Sequence, residues 1–206
     1  MFKHIAYQSA AVAAAVALSG LCAGGAGASV TATGAGRPTG QAAVTAGTAG
    51  AVPGTQLWVA RYHGPANGGD AATAVAVSPG GGRVFVAGNR KAANRIPNYA
   101  TVAYRTATGA QLWVHAYNGP ANDDDRVTSM AVNPSGGAVY VTGYSKGVGT
   151  HQDYATVAYN AATGARLWVQ RYNGPGNGLD EARSVAVDRK GKTVFVTGRS
   201  SGGASS

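Results

Sequence analysis

Tryptophan recurs at a fixed interval along this chain. Trp58, Trp113 and Trp168 are separated by 113 − 58 = 168 − 113 = 55 residues. The six residues YATVAY at 99–104 return unchanged at 154–159. Single aspartates keep the same register in all three copies, at Asp70, Asp125 and Asp180. A repeat of this length is one supersecondary unit that buries its apolar face against its neighbours, so the sequence predicts a stack of similar units.

Each complete copy is predicted to contain four short strands separated by turns. In the first copy the strands are expected at 57–62, 72–78, 84–88 and 99–104, which are rich in Val, Thr and aromatic residues. Glycine and proline between them supply turn conformations. Four such strands match the size of a propeller blade, and helical periodicity is absent outside the N-terminal segment. The predicted fold is therefore all-β, with antiparallel four-stranded blade repeats, each opened by its tryptophan strand.

The repeats cover about 54–108, 109–163 and 164–206, and the third has no copy of the YATVAY strand. We therefore expect an incomplete β-propeller with two full blades plus a partial third, whereas propellers have four to eight blades. Three arrangements stay open: a truncated piece of a longer propeller, an open arc, and assembly of copies through unpaired strand edges.

The N-terminal segment has the pattern of an export signal over residues 1–28. Lys3 and His4 precede an apolar run that ends near Leu21, and small residues at 26–28 suit cleavage. Retention of this segment as a membrane anchor is the alternative. Residues 29–53 consist mainly of Ala, Gly, Thr and Val without any aromatic residue, so we expect a flexible linker. The predicted location is secreted or cell-surface.

Two stretches resemble known propeller repeats. Residues 167–174 (LWVQRYNG), followed by 180–181, 184–188 and 193–198, resemble the SBBP-type β-propeller repeat of bacterial secreted and surface proteins. Residues 158–168 (AYNAATGARLW) are similar to the tryptophan-docking motif of PQQ-type propellers, Ala-x-Asp-x-x-x-Gly-x-x-x-Trp, with Asn160 in place of the aspartate and Arg105 in the earlier copy. These resemblances imply a β-propeller over 54–206 and leave the function open. The tryptophans are expected to pack against adjacent sheets.

Few side chains are arranged for chemistry. Asp123, Asp124 and Asp125 could offer oxygen ligands to calcium, but only Asp125 is periodic. We therefore expect Asp70, Asp125 and Asp180 to accept backbone N–H bonds within turns, with calcium as the alternative. The histidines are scattered and lack metal-binding spacing. No catalytic residue and no cofactor-binding residue is predicted.

The chain carries 17 basic and 8 acidic residues, a net charge of +9, with the basic residues scattered. Nucleic acid is not an expected partner. The expected function is that of an exported, non-enzymatic β-propeller repeat protein that acts as a binding or scaffolding module. Its ligand is expected to be an unknown protein or carbohydrate, and open blade edges are expected to permit self-association. The alternative is a fragment of a propeller enzyme, a PQQ-like oxidoreductase, hydrolase or lyase, with its site in other blades.

Overall fold

A computed structural model describes residues 2–7, 54–66 and 68–201. The described residues form twelve strands and no helix: β1 (Phe2–Tyr7), β2 (Gln56–Tyr62), β3 (Ala71–Val77), β4 (Arg83–Lys91), β5 (Pro97–Arg105), β6 (Gln111–Tyr117), β7 (Asp125–Val132), β8 (Ala138–Lys146), β9 (Gln152–Asn160), β10 (Arg166–Tyr172), β11 (Glu181–Val187) and β12 (Val194–Arg199). The eleven strands expected after residue 54 are therefore all present.

The strands form two complete sheets and two partial ones. Blade 1 has the order β3-β4-β5-β6 and blade 2 the order β7-β8-β9-β10, both antiparallel throughout. The half-blade consists of β11 and β12, and the N-terminal pair consists of β1 and β2. Each first strand has a register shift at the same repeat position, at 72/74, 127/129 and 182/184. The prediction of antiparallel four-stranded blades in an incomplete propeller is confirmed.

The tryptophan strand closes a sheet and does not open one, which shifts the sheets relative to the repeats at 54–108, 109–163 and 164–206. Strand β6, with Trp113, pairs with β5 of the preceding repeat unit. A short turn at 106–110 joins these two strands. It is closed by a hydrogen bond from the Arg105 amide to the Ala110 carbonyl at 2.8 Å. The longer Gly-Pro loop at 118–124 carries the chain to the next blade. Short connections favour pairing between consecutive antiparallel strands, which explains the shift.

The core lies between consecutive sheets. Phe85 of β4 is fully buried and shares one apolar cluster with Trp113 of blade 1 and with Val139 and Val157 of blade 2. A second cluster joins Tyr140 of blade 2 to Val185 of the half-blade. Side chains alternate between the two faces of a strand. The central strands β4, β5, β8 and β9 therefore face one neighbouring sheet with odd-numbered positions and the other with even-numbered positions.

The expected export signal and linker lie almost entirely outside the described residues. Of residues 1–28 the structure describes only β1, which pairs with β2. Residues 7–55 form a unit of their own, in which only Tyr7, Gly54 and Thr55 are described. In the described part of the chain, no helix has the length and apolar character that a membrane crossing requires.

Candidate functional site

The tryptophans lie at the contacts between successive sheets. The indole nitrogen of Trp58 donates to the carbonyl of Thr106 in blade 1 at 2.6 Å. The indole nitrogen of Trp113 donates to the carbonyl of Ala161 in blade 2 at 3.2 Å. Both acceptors are 48 residues after the donor and lie in the turn before the last strand of the next blade. The same hydrogen bond therefore joins two successive pairs of sheets.

A glycine in each of these turns makes room for the indole ring. An added Cβ at Gly109 would lie 2.6 Å from the Trp58 ring, and one at Gly164 would lie 2.7 Å from the Trp113 ring. Both glycines have φ near +70°, at 70° and 77°, a conformation that glycine adopts without strain. The glycine of the docking motif is thus the surface on which the preceding blade's tryptophan packs.

Asn160 performs the turn-capping role that the motif gives to aspartate. Its side-chain oxygen accepts from the amides of Ala162 at 2.9 Å and Thr163 at 3.0 Å. An asparagine or aspartate oxygen can accept these bonds equally, because both side chains mimic a turn of the backbone. In the first copy, Arg105 holds the turn through its backbone carbonyl, which accepts from the Gly109 amide at 2.8 Å.

The periodic aspartates fasten the loops between blades. Asp125 accepts from the Gly119 amide at 2.7 Å, and Asp180 accepts from the Gly174 amide at 2.7 Å. Asp70 accepts in the same way from the Gly64 amide at 2.6 Å. Each aspartate is buried. Burial raises the pKa of Asp125, and hydrogen bonds from Ser145 and from the Gly119 amide oppose that rise.

The two non-periodic aspartates point to cations of the protein. Asp123 pairs with Lys146 at 2.6 Å, and Asp124 pairs with Arg126 at 3.0 Å. The hydrogen bond from Lys146 lowers the pKa of Asp123. Asp125 meanwhile faces the Gly119 amide inside the loop. The run 123–125 therefore does not converge, and among the described residues no three His, Cys, Asp or Glu side chains form a metal-binding group.

A hydrogen-bond network around the partly buried Arg171 links blades 1 and 2, and the sequence analysis did not predict it. Arg171 of β10 donates to the Tyr117 hydroxyl at 3.0 Å and to the Ser145 hydroxyl at 2.6 Å. It also pairs with Asp153 at 2.9 Å, and Asp153 is almost fully buried. Arg171, Ser145 and Asp153 have Ala116, Arg90 and Asn98 as their equivalents in the preceding copy, so a search for residues kept in every copy passes over them.

The equivalent tyrosine of the preceding contact uses a different arginine. Arg90 of β4 reaches the Tyr62 hydroxyl at 3.4 Å. Arg90 stands at the repeat position of Ser145, and Ala116 stands at that of Arg171. The arginine that bonds to the tyrosine therefore lies on the second strand in blade 1 and on the fourth strand in blade 2. In each blade a small residue, Ala116 or Ser145, occupies the position that holds the arginine in the other blade. This paired exchange is the sequence signal that could have identified the network.

Two clefts lie among the exposed loops. One, of about 230 Å³, is lined by Asp123, Asp124, Lys146, His151, Gln152 and Leu179. The other, of about 220 Å³, is lined by Ala66, Gly68, Lys91 and Arg95. Both are below the range of about 300–1,000 Å³ that small-molecule pockets occupy. His115 lines neither of these clefts. It stacks on Tyr159 between the blades, with ring centroids 5.9 Å apart.

Comparison with known proteins agrees with this architecture. The model of the PQQ-like repeat family described as outer membrane protein assembly factor BamB matches residues 29–205. That match includes residues 29–53, the expected linker. A comparison with curated proteins finds no match. The repeated strands, the docked tryptophans and this match over most of the chain agree, and the chain belongs to the β-propeller repeat family described as outer membrane protein assembly factor BamB.

Proposed function

We propose that this chain is an exported, non-enzymatic β-propeller repeat protein that serves as a binding or scaffolding module of the cell envelope or surface. The family description, an outer membrane protein assembly factor, supports an envelope role. The signal-like pattern of residues 1–28 supports export. The finer SBBP-type assignment, with its secreted and surface proteins, is part of the same proposal.

The use of the periodic polar groups carries the non-enzymatic part of the proposal. The three aspartates that recur in every repeat accept loop amides, and two tryptophan N–H groups bond to the adjacent blade. Groups held in this way stabilise the blades and are not directed at a substrate. The partly buried Arg171 is likewise bonded to Tyr117, Ser145 and Asp153.

The proposed binding surface is the group of loops around the cleft that Asp123, Lys146 and His151 line. Asp123 and His151 depart from the repeat there, at positions where the preceding copy has Gly68 and Ile96. Both are exposed or partly exposed and line the cleft together with Lys146. Binding residues are often found on loops that a rigid scaffold holds in place. A small cleft with both signs of charge suits a polar protein loop or a carbohydrate better than an enclosed cofactor.

A site-specific photo-crosslinker tests this assignment. Placed at position 151 in cells, it is expected to capture an envelope protein or a glycan, and fractionation is expected to place the adduct in the envelope. The matched control places the same group at Thr163, an exposed turn at the opposite edge of blade 2. Equal capture at both positions, or cytoplasmic adducts alone, would contradict the proposal.

The enzymatic alternative makes a separate prediction. Steady conversion of a substrate by the purified chain, abolished by Asp125→Asn without loss of the fold, would overturn the non-enzymatic assignment. The control is Asp123→Asn, which removes a carboxylate exposed in the cleft. We expect the purified chain and both variants to show no steady substrate conversion. Circular dichroism verifies the fold of each variant.

A further inference from the structure

We propose that one edge of the stacked sheets, the turn edge, binds the surface of a bilayer that contains anionic lipid. The turn edge consists of the turns at 78–82, 106–110, 133–137, 161–165 and 188–193 with the strand residues directly beside them. The opposite edge, the loop edge, consists of the loops at 63–70, 92–96, 118–124, 147–151 and 173–180 and carries both clefts. The membrane-binding role is therefore separate from the proposed binding role at the cleft.

The acidic residues are almost confined to the loop edge. Seven of the eight acids of the chain lie in the loops of that edge or within two residues of them. Asp188 is the one acid on the turn edge, and its carboxylate accepts from the amides of Thr193 at 2.8 Å and Lys192 at 2.6 Å. Six cations share the turn edge with it: Arg83, Arg105, Arg166, Arg189, Lys190 and Lys192. The fold thus concentrates basic residues that are scattered in the sequence.

The cations of the turn edge are not neutralised by the protein. None of the six forms an ion pair with a described residue, whereas Lys146, Arg126 and Arg171 of the loop edge each pair with an aspartate. The turn edge therefore carries an excess of 6 − 1 = 5 positive charges. An uncompensated charge of one sign on one surface attracts anions and repels itself.

Two of these arginines lie directly opposite each other. Arg83 of β4 is the register partner of Arg105 of β5, so both side chains leave the same face of blade 1. Like charges in this arrangement destabilise a sheet. The equivalent pair in blade 2 is Ala138 and Asn160, so the blade does not require the charges. The Nε atom of Arg83 is also buried without a hydrogen-bond partner among the described residues. A phosphate held by the two guanidinium groups would offset the repulsion.

Exposed leucines accompany the cations. Leu57, Leu112 and Leu167 occupy the same repeat position and are 47%, 37% and 52% exposed. Leu112 and Leu167 are the extra residues of β-bulges, so neither has a cross-strand partner that covers it. Each is the second residue of its strand, roughly 7 Å from the turn at about 3.4 Å per residue. Apolar side chains that bind a membrane surface enter the headgroup boundary by about 5–10 Å.

A bilayer fits this edge better than a small anion or a polyanion in solution. The cations come from blade 1, blade 2 and the half-blade, and neither cleft lies on this edge, so the charges are spread over a surface. A polyanion would bind the cations and leave the leucines in water. An anionic bilayer attracts the cations and also takes up the leucines.

Co-sedimentation of the full chain with lipid vesicles is the test. Vesicles of phosphatidylcholine measure binding through other parts of the chain, and vesicles with roughly one third phosphatidylglycerol add the anionic surface. We expect the partition coefficient to be about tenfold or more higher on the anionic vesicles at low salt. This difference should disappear towards about 1 M salt, where the Debye length is about 3 Å.

Matched substitutions locate the surface. Arg105→Gln with Arg166→Gln should lower partition into anionic vesicles about tenfold or more, because it removes two exposed charges from the turn edge. Arg61→Gln with Arg95→Gln is the control, since it removes the same charge from exposed positions at the loop edge. The control should lower partition much less. Circular dichroism verifies that each variant folds.

The leucines separate a bilayer from other anionic partners. Leu112→Ser with Leu167→Ser should weaken vesicle binding severalfold and leave its salt dependence unchanged. Equal binding to neutral and anionic vesicles, an equal loss in the loop-edge control, or no loss in the leucine variant would overturn the proposal. Tight binding to heparin or DNA without a preference for anionic vesicles would also overturn it, because the partner would then be a polyanion in solution.

Discussion

Replacement of the three tryptophans by alanine should destabilise the protein in a graded order, with Trp113→Ala the most severe. Trp113 is 8% exposed, contacts Phe85 and Tyr159, and donates to the Ala161 carbonyl. Trp58 is partly buried but makes the equivalent hydrogen bond. Trp168 is partly buried and has only Tyr140 as a ring partner among the described residues.

The magnitudes follow from burial and hydrogen bonding. Burial of about 200 Å² of indole contributes roughly 5 kcal/mol at about 25 cal/mol per Å², as an upper value. Core aromatic-to-alanine changes cost about 3–5 kcal/mol, and a carbonyl left without its donor adds about 1 kcal/mol. We therefore expect about 4–5 kcal/mol for Trp113, about 3 kcal/mol for Trp58, and about 2 kcal/mol for Trp168.

Urea unfolding followed by far-ultraviolet circular dichroism measures these costs without relying on tryptophan fluorescence. A cost below about 1 kcal/mol for Trp113→Ala, or equal costs at all three positions, would refute the docking argument.

Three further changes test other contacts. Gly143→Ala should cost about 2–3 kcal/mol in urea unfolding, because its Cβ would lie 1.9 Å from a carbonyl oxygen of the adjacent strand, whereas Gly80→Ala, with open space, should cost little. Because burial raises the pKa of Asp125 above its unfolded value, its contribution to stability should fall as pH rises from about 4, and a pH series on Asp125→Asn should lack that fall. Arg171→Met should cost about 2 kcal/mol by leaving the buried Asp153 without its cation, and adding Asp153→Asn should recover part of it in thermal unfolding.

The strands and their repetition could be predicted from the sequence because the periodic residues are those that the blades need. Val84, Val86 and Val102 occupy alternate positions on two neighbouring strands because they face the same side of a sheet. Gly109 recurs as Gly164 because an indole ring packs on each of these glycines. The sheet boundary was harder to place. The turn at 106–110 and the loop at 118–124 are both rich in turn-forming residues, and only the shorter one joins strands of the same sheet.

The arginine network could not be predicted from the repeat because it departs from the repeat. Arg171 and Asp153 have Ala116 and Asn98 as their equivalents in the preceding copy, so neither position is kept throughout the repeat. Only the fold shows that the fourth strand of blade 2 and the second strand of blade 1 reach the same tyrosine position. Long side chains on different strands can reach the same hydroxyl position. A comparison of single sequence positions does not detect this.

Hydrogen exchange at the three indole N–H groups, measured by NMR after assignment through single Trp→Phe variants, tests the stacking of the blades most directly. The Trp113 indole proton should exchange slowly, because it is bonded to the Ala161 carbonyl within the contact between blades 1 and 2. The Trp168 proton should exchange much faster, because no described residue accepts a hydrogen bond from it and its ring is only partly buried. Exchange of the Trp113 proton within the dead time of the experiment would contradict the account.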